Sequence, residues 1–580
     1  PEFIPPFPVH KAVGADTKVH LQVGWFGDDG IRSDVVVSNP NGGLVTDGFD
    51  AELNPDALVR RWRINPFAFF RVAFATDDLP KPDTTTLAGR RVFYSHVDGD
   101  GWRSVAEVKI DDQPTSTARV LLERVVKRNP GLPVTIAPIA AEIDPAWIDD
   151  AEARAVAEEI LALPQVEAGS HTYSHPFQWS FFKDYDPELE RRIVTSLGLG
   201  RINEQRYESV GTSLAVETST ESGAPTAPEL SARYEVPRAF YIKPYDLDLE
   251  VQGSMDRIGL VGGKPVAVLQ WSGDTSPYEA AVAAVREAGI VNINGGDTRF
   301  DSDYRSYGYV APTGIPVGRE RQIYASMSNE NTYTDLWSAR FFGYRHLLQT
   351  IDRTDLPIRV KPINVYYHTY SAEKIASLNA LIAVLQNVGA RELTPITTSR
   401  FARIGQGFYD TQMVSLGDRV WRIESRGALQ TLRFDHASLM AVDFSRSTGV
   451  IGERSSHGGL YVALDPSVAQ PVVALTDRED LLAPAVAEYP YLIESPWPIS
   501  QMATEGATVS ATLEGFGPLS MSWIVPKPGV WLVRGVQDGD ERMSLRLTAG
   551  EDRRLALVDA QTEDLMPMVA TKLTLERASD

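Results

Sequence analysis

Cysteine is absent from all 580 residues. Disulfides and zinc–thiolate sites are thereby excluded, so any metal must be held by nitrogen and oxygen ligands. Long apolar runs are missing too: no stretch of about 18 apolar residues occurs, and no membrane-spanning helix is indicated. Positive charge is scarce, with 56 Lys and Arg against 77 Asp and Glu and a formal net charge of −21. That balance repels the phosphates of nucleic acid and keeps a large protein dispersed; a neutral or cationic partner is easier to accommodate. Neither an initiator Met nor a charged-then-apolar leader stands at Pro1-Glu2-Phe3. The expectation is a processed or trimmed segment whose targeting signal cannot be read from the chain.

A chain of this length exceeds one ordinary core, and two or three domains are expected. Residues 1–84 read as a small α/β segment, with a strand at Val35-Val36-Val37, a turn over 39–43, an aromatic stretch over 62–70 and a polar linker over 79–86. From 85 to 410 strand-like and helix-like runs alternate: strands near 91–97, 134–139, 166–169, 266–271, 290–294 and 363–367, helices near 115–127, 146–163, 276–289 and 371–388. The third helix carries a start signal, with Ser276 placed to cap it, Pro277 in its first turn and Glu279 three residues after the cap. Repeated βα units imply a parallel sheet closed or nearly closed into a barrel. Over 411–580 short alternating runs broken by Gly and Asp predict an antiparallel β-sandwich, which either packs on the barrel or binds carbohydrate.

In α/β barrels the reacting groups lie just beyond the C-terminal strand ends. Asp98, His171, Asn294 and His368 all fall at such ends. Asp98-Gly-Asp100 follows the first strand and His171-Thr-Tyr-Ser-His175 follows the third. A carboxylate and two imidazoles, Asp100, His171 and His175, make a three-ligand site with coordination positions left open. On a single helical turn the i,i+4 spacing puts both rings on one side. An Asx turn accounts for one of the two aspartates but not both. His368 is a candidate proton donor opposite the metal. Trp102, Phe177 and Trp179 flank the site segments, placed either to stack on sugars or to fill the core. His96 reads as a buried strand residue, and His10, His20, His346, His436 and His457 have no assigned role.

These segments carry a family resemblance. Asp98-Gly-Asp100 resembles the first motif of the NodB-type polysaccharide deacetylases, carbohydrate esterase family 4; His171-Thr-Tyr-Ser-His175 is similar to the second, and Val365-Tyr-Tyr-His368 to the last. The match covers about 90–400. Ile64-Asn-Pro-Phe, Gly169-Ser-His171 and Tyr366-Tyr-His368-Thr-Tyr-Ser-Ala-Glu-Lys374 resemble the PelA-like members most, extending the likeness over nearly the whole chain. The resemblance implies an α/β fold, a NodB-type distorted (β/α) barrel followed by a C-terminal antiparallel β-sandwich. It implies Zn²⁺ or another divalent transition metal on Asp100, His171 and His175, Asp98 as base and His368 as acid. The substrate it implies is a poly-N-acetylhexosamine exopolysaccharide, in a periplasmic or cell-envelope setting, with exopolysaccharide secretion machinery as partner and biofilm formation as context. The family's third motif, with the Arg that orients the base, is replaced by Trp271-Ser-Gly-Asp274, and the fourth is reduced to Asn292-Ile-Asn294-Gly-Gly-Asp297. Asp274, Trp271, Asn294 and Trp179 are expected to meet substrate, with a backbone N–H near Asp274 facing the oxyanion. Two alternatives stand beside this: a carbohydrate-binding scaffold with a decayed site, and a metal-dependent hydrolase of another amide or ester.

Overall fold

The structure, a computed structural model, describes residues 4–24, 30–54, 59–77, 79–196, 236–478 and 484–578. Six parallel strands run through its centre, β1 (Arg90–Asp98), β2 (Val134–Ala137), β3 (Val166–Ser170), β4 (Val268–Gln270), β5 (Val291–Ile293) and β6 (Ile363–His368), and beside them the short strand Leu393–Pro395 pairs in parallel with the start of β1. They lie in the spatial order β5-β4-β3-β2-β1-β6. β1 is buried along nearly its whole length, as a strand covered on both faces must be. Register then places the chemistry: Asp98 pairs with His368 on one side and with Ala137 on the other, so an acid and a base share one level at the C-terminal edge.

Helix packing follows from sequence period. The helix Ala151–Ala162 starts at Asp150, whose carboxylate accepts the N–H of Ala153 at 2.9 Å. It buries Ala153, Val156, Ala157, Ile160 and Leu161, a 3.6-residue stripe. The helix expected from Ser276 begins instead at Glu279, because the Ser276 hydroxyl donates to the Asp274 carbonyl at 3.0 Å and caps nothing. Asp274 has already taken the Ser276 N–H into an Asx turn.

No ladder among the described residues joins β5 to β6, so the expected closed or nearly closed barrel is an open sheet. Irregular chain crosses the gap. The Ile323 N–H donates to Asn292 on β5, the Ser326 N–H to the Tyr94 hydroxyl, and the Met327 N–H to Asn364 on β6. Side-chain oxygens here take backbone N–H groups that further strands would otherwise pair.

At the N-terminal side, Arg32–Asn39 pairs with Lys18–Gly24 and Gly42–Val45 as an antiparallel sheet. Asn65 caps the helix Pro66–Phe74, whose Phe70 and Phe74 stay exposed. The stretch 79–86, expected as a linker, is part of two sheets. Lys81–Pro82 pairs with Thr431–Phe434, Thr86–Leu87 pairs with the start of β1, and Asp83, Thr84, Thr85 and Thr86 are buried. Polar composition misleads here because these side chains satisfy one another: the Thr85 hydroxyl donates to Asp83 and that of Thr431 to the Thr86 carbonyl.

Beyond 410, sheets of six, five and four strands share two apolar cores, and Lys81–Pro82 extends the first of them to seven. Trp523 of the seven-stranded sheet meets Trp531 of the five-stranded one in the first core; Trp421 and Phe434 meet in the second. Pairing is antiparallel except for one parallel contact, Gly452 with Leu492. Trp421, Trp497, Trp523 and Trp531 are all buried, and Arg90 and Thr394 of the central sheet bond to Ser520 and Ser495. The four indoles of this region fill its interior.

Candidate metal centre

The Asp-Gly-Asp-Gly turn needs both glycines. A Cβ at Gly99 would lie 2.6 Å from the Ile139 nitrogen, and Gly101, with φ +81°, has Tyr370 where its Cβ would go. The chain after β6 grips the same turn: the Thr369 hydroxyl donates to the Asp98 carbonyl at 2.8 Å, and the Tyr370 N–H to that of Asp100 at 3.1 Å. Two acidic side chains are thereby aimed from one fixed loop.

After β3 the histidine segment is not the helical turn its spacing suggests. Thr172 and His175 adopt left-handed φ values of 66° and 56° in a loop, and the rings still meet, with centroids 5.0 Å apart. His175 Nε2 lies 3.0 Å from Asp100 Oδ1. His171 donates from Nδ1 to the Gln270 carbonyl at 3.0 Å, which leaves Nε2 as the lone-pair nitrogen. That Nε2 is buried with no hydrogen-bond partner among the described residues. Ligand atoms of Asp100, His171 and His175 all lie within 4.8 Å of one another. A buried lone pair facing a second imidazole and a carboxylate fits a divalent metal of intermediate softness, zinc above all.

Beside this cluster lies a proton-transfer pair. His368 Nε2 is 3.1 Å from Asp98 Oδ2, which also accepts the Tyr366 hydroxyl at 2.9 Å. Asp98 Oδ1 is buried and has no partner among the described residues. On its far side, His368 Nδ1 meets Glu330 Oε1 at 2.8 Å, and Glu330 is fully buried.

Electrostatics sorts these groups. Burial, reinforced by the neighbouring His175, pushes His171 down to about 3, so its ring is neutral as a ligand must be. Asp100 is held well below the usual carboxylate range: burial opposes ionisation, but His175, His171 and His368 outweigh it. Burial, with Asp100 and Glu330 adding to it, raises Asp98 well above its ordinary value against the pull of His368 and Tyr366. Burial alone would lower His368, yet the carboxylates of Asp98, Glu330 and Asp100 lift it to about 10. Across neutral pH that ring is a charged donor.

Sequence reasoning missed Glu330 and Tyr366. Tyr366 sits two residues before His368 on one strand, and the period of two puts both on one face, so it was findable. Glu330 opens the short 3-10 helix Glu330–Tyr333, 38 positions upstream of His368, where no spacing marks it. Glu330→Gln is expected to cut kcat by about tenfold or more, since the imidazole loses its orienting partner. His368 loses its proton as pH rises past its pKa, and the missing charge lowers that pKa; the alkaline limb of the kcat/KM profile therefore moves to lower pH. An unmoved limb would remove Glu330 from the mechanism.

Three of the four residues expected at the substrate are structural. Trp271 and Trp179 are fully buried, edge to face at 4.9 Å, with their indole N–H groups bonded to Asn292 and the Ser272 carbonyl; neither has a face for a sugar. Trp102 is likewise core, donating to the Ala153 carbonyl. Asn294 is fully buried between the Trp271 carbonyl and His96 Nε2, and the His96 ring stacks on Tyr366 at 4.2 Å. It supports the Tyr366–Asp98 contact from behind. Asp274 keeps a free oxygen, Oδ2, and burial pushes its carboxyl up to about 7. Its backbone N–H donates to the Phe177 carbonyl at 2.9 Å, so the expected oxyanion donor is already committed.

No protein-family profile and no curated protein matches the chain. Solved structures that resemble it include a T48 deacetylase with substrate, at 9% identity and a TM-score of 0.27, covering 55% of this chain and 92% of that one. A family 4 carbohydrate esterase from Streptomyces lividans in complex with acetate aligns at 9% identity and a TM-score of 0.26, over 53% of this chain and 92% of that one. A family 4 pseudoenzyme from Bacillus anthracis aligns at 11% identity and a TM-score of 0.26, over 53% of this chain and 64% of that one. The functional reading stands on the side chains of the site.

Proposed function

We propose that this chain is a metal-dependent N-deacetylase of a polymeric N-acetylhexosamine, a Pel-like exopolysaccharide, acting in the periplasm or cell envelope alongside secretion machinery. One observation carries the reading: the unpaired His171 Nε2 converges with His175 and Asp100 beside an Asp98–His368 pair. Bound there, Zn²⁺ supplies Lewis acidity toward the acetamide carbonyl and lowers the pKa of water from 15.7 toward about 7. The remaining work belongs to the protein. Asp98 takes the proton of the attacking water at Oδ1, while Tyr366 and His368 fix Oδ2. His368, kept protonated by three carboxylates, gives its proton to the nitrogen as the C–N bond breaks, releasing acetate and a free amine. Tyr366 stands in for the Arg that the resemblance leads one to expect beside the base, which favours a working site over a decayed scaffold. The polymer, its setting and its secretion partners rest on the resemblance of the sequence segments.

Treatment with a chelator is expected to bring acetate release from N-acetylated oligosaccharides to background, and zinc to restore it. Polymer binding without acetate at any metal loading would instead identify a scaffold; turnover of other amides or esters alone would identify a different hydrolase.

A further inference from the structure

Behind the two imidazoles lies a fully buried carboxylate that the proposed chemistry does not use. Glu250 is carried on a π-helical turn, Leu249–Gly253, an element found often at functional sites. Its Oε2 accepts the backbone N–H of Tyr173 at 2.9 Å and of Ser174 at 2.8 Å, and its Oε1 accepts the Ser174 hydroxyl. Tyr173 and Ser174 lie between the two histidines, in a loop whose left-handed residues Thr172 and His175 bracket them. The loop's carbonyls are tied elsewhere: those of Thr172 and Tyr173 accept from Ala140 and Ala141, those of Ser174 and His175 from Phe240 and Ala239. Among the described residues, Glu250 alone accepts the two N–H groups. Arg238, itself buried, bonds to the Ser174 hydroxyl at 3.1 Å and to Glu190 at 2.7 Å, so a chain of buried charges backs the contact.

We propose that Glu250 is a positioning residue that sets the loop between His171 and His175, and with it the angle at which the two rings meet a metal. Three buried charges in series are weak stabilisers compared with apolar packing. A network with every partner satisfied does fix one conformation. Here that conformation aims two nitrogens.

The inference rests on the metal-centre reading, and the experiment separates the two. Zinc dissociation constants are measured by chelator competition, and the absorption spectrum of the cobalt(II) form is recorded, for the parent, Glu250→Gln and Glu250→Asp. Glu250→Asp keeps the charge near Arg238 but cannot span the same distance to both N–H groups, so it preserves folding if the Gln variant does not. Glu453→Gln, which alters an equally buried carboxylate in a C-terminal sheet, is the control. Expected is a loss of zinc affinity of about 10- to 100-fold in the Glu250 variants, with a changed cobalt spectrum and an unchanged control. A parent that binds zinc alongside folded Glu250 variants of equal affinity and identical spectrum overturns the inference alone. A parent that binds no zinc overturns the metal centre and the inference together.

Discussion

Asp98→Asn is expected to lower acetate release from N-acetylated oligosaccharides by about 10²- to 10⁴-fold while zinc binding stays close to that of the parent. The substitution preserves shape and still offers an oxygen to the Tyr366 hydroxyl, so the neighbourhood is undisturbed. It removes Oδ1, the carboxylate oxygen without a partner among the described residues that is proposed to take a proton from water. It also strips His368 of the first of the carboxylates that keep it charged, so base and acid weaken together. Asp98 lies outside the Asp100–His171–His175 ligand group, which is why affinity should survive. Steady-state acetate kinetics together with zinc titration decide the matter. Parent-like turnover in the Asn variant would exclude Asp98 as the base.

His171→Ala is expected to weaken zinc binding by more than about 100-fold, beyond what the loss of an outer partner costs, and to abolish acetate release. The ring is fixed at one end by the Gln270 carbonyl and presents its free nitrogen at the other, so no neighbour is placed to replace it. Melting gives a readout independent of turnover. A ligand that binds only the folded state stabilises by about 2.7 kcal/mol at a concentration of 100 Kd. The parent should therefore melt higher in zinc than in chelator, and the variant should not. Equal zinc-induced shifts in both proteins would place the metal elsewhere.

The group that could hold a metal was legible because its parts are local. Asp98-Gly-Asp100, the paired histidines and His368 each sit at the end of a strand whose apolar pattern is plain, and strand ends converge in any parallel α/β sheet. What escaped was decided by tertiary packing. Trp271 and Trp179 look alike whether they face a sugar or a core, and only the helix Glu279–Glu287 and its neighbours settle it by covering them. Glu330 and Glu250 come from a single 3-10 turn and a π-turn, places too short to show a period. The histidine loop brings its two rings together without a helical turn, because Glu250 and its neighbours supply bonds a helix would have made internally. In the C-terminal region alternation announced strands correctly, but not how many sheets they form or that residues 81–82 extend one of them.

The strap over 81–87 also sets the order in which the molecule can be finished. Thr86 and the hydroxyl that holds its carbonyl are 345 residues apart in the chain. A ribosome releases the catalytic strand Arg90–Asp98 long before Thr431 exists, and closing so large a loop brings a late reward. Until residues 431–434 have been made, the outer edge of the strap stays uncovered, a window in which a chaperone or a premature neighbour can reach it first.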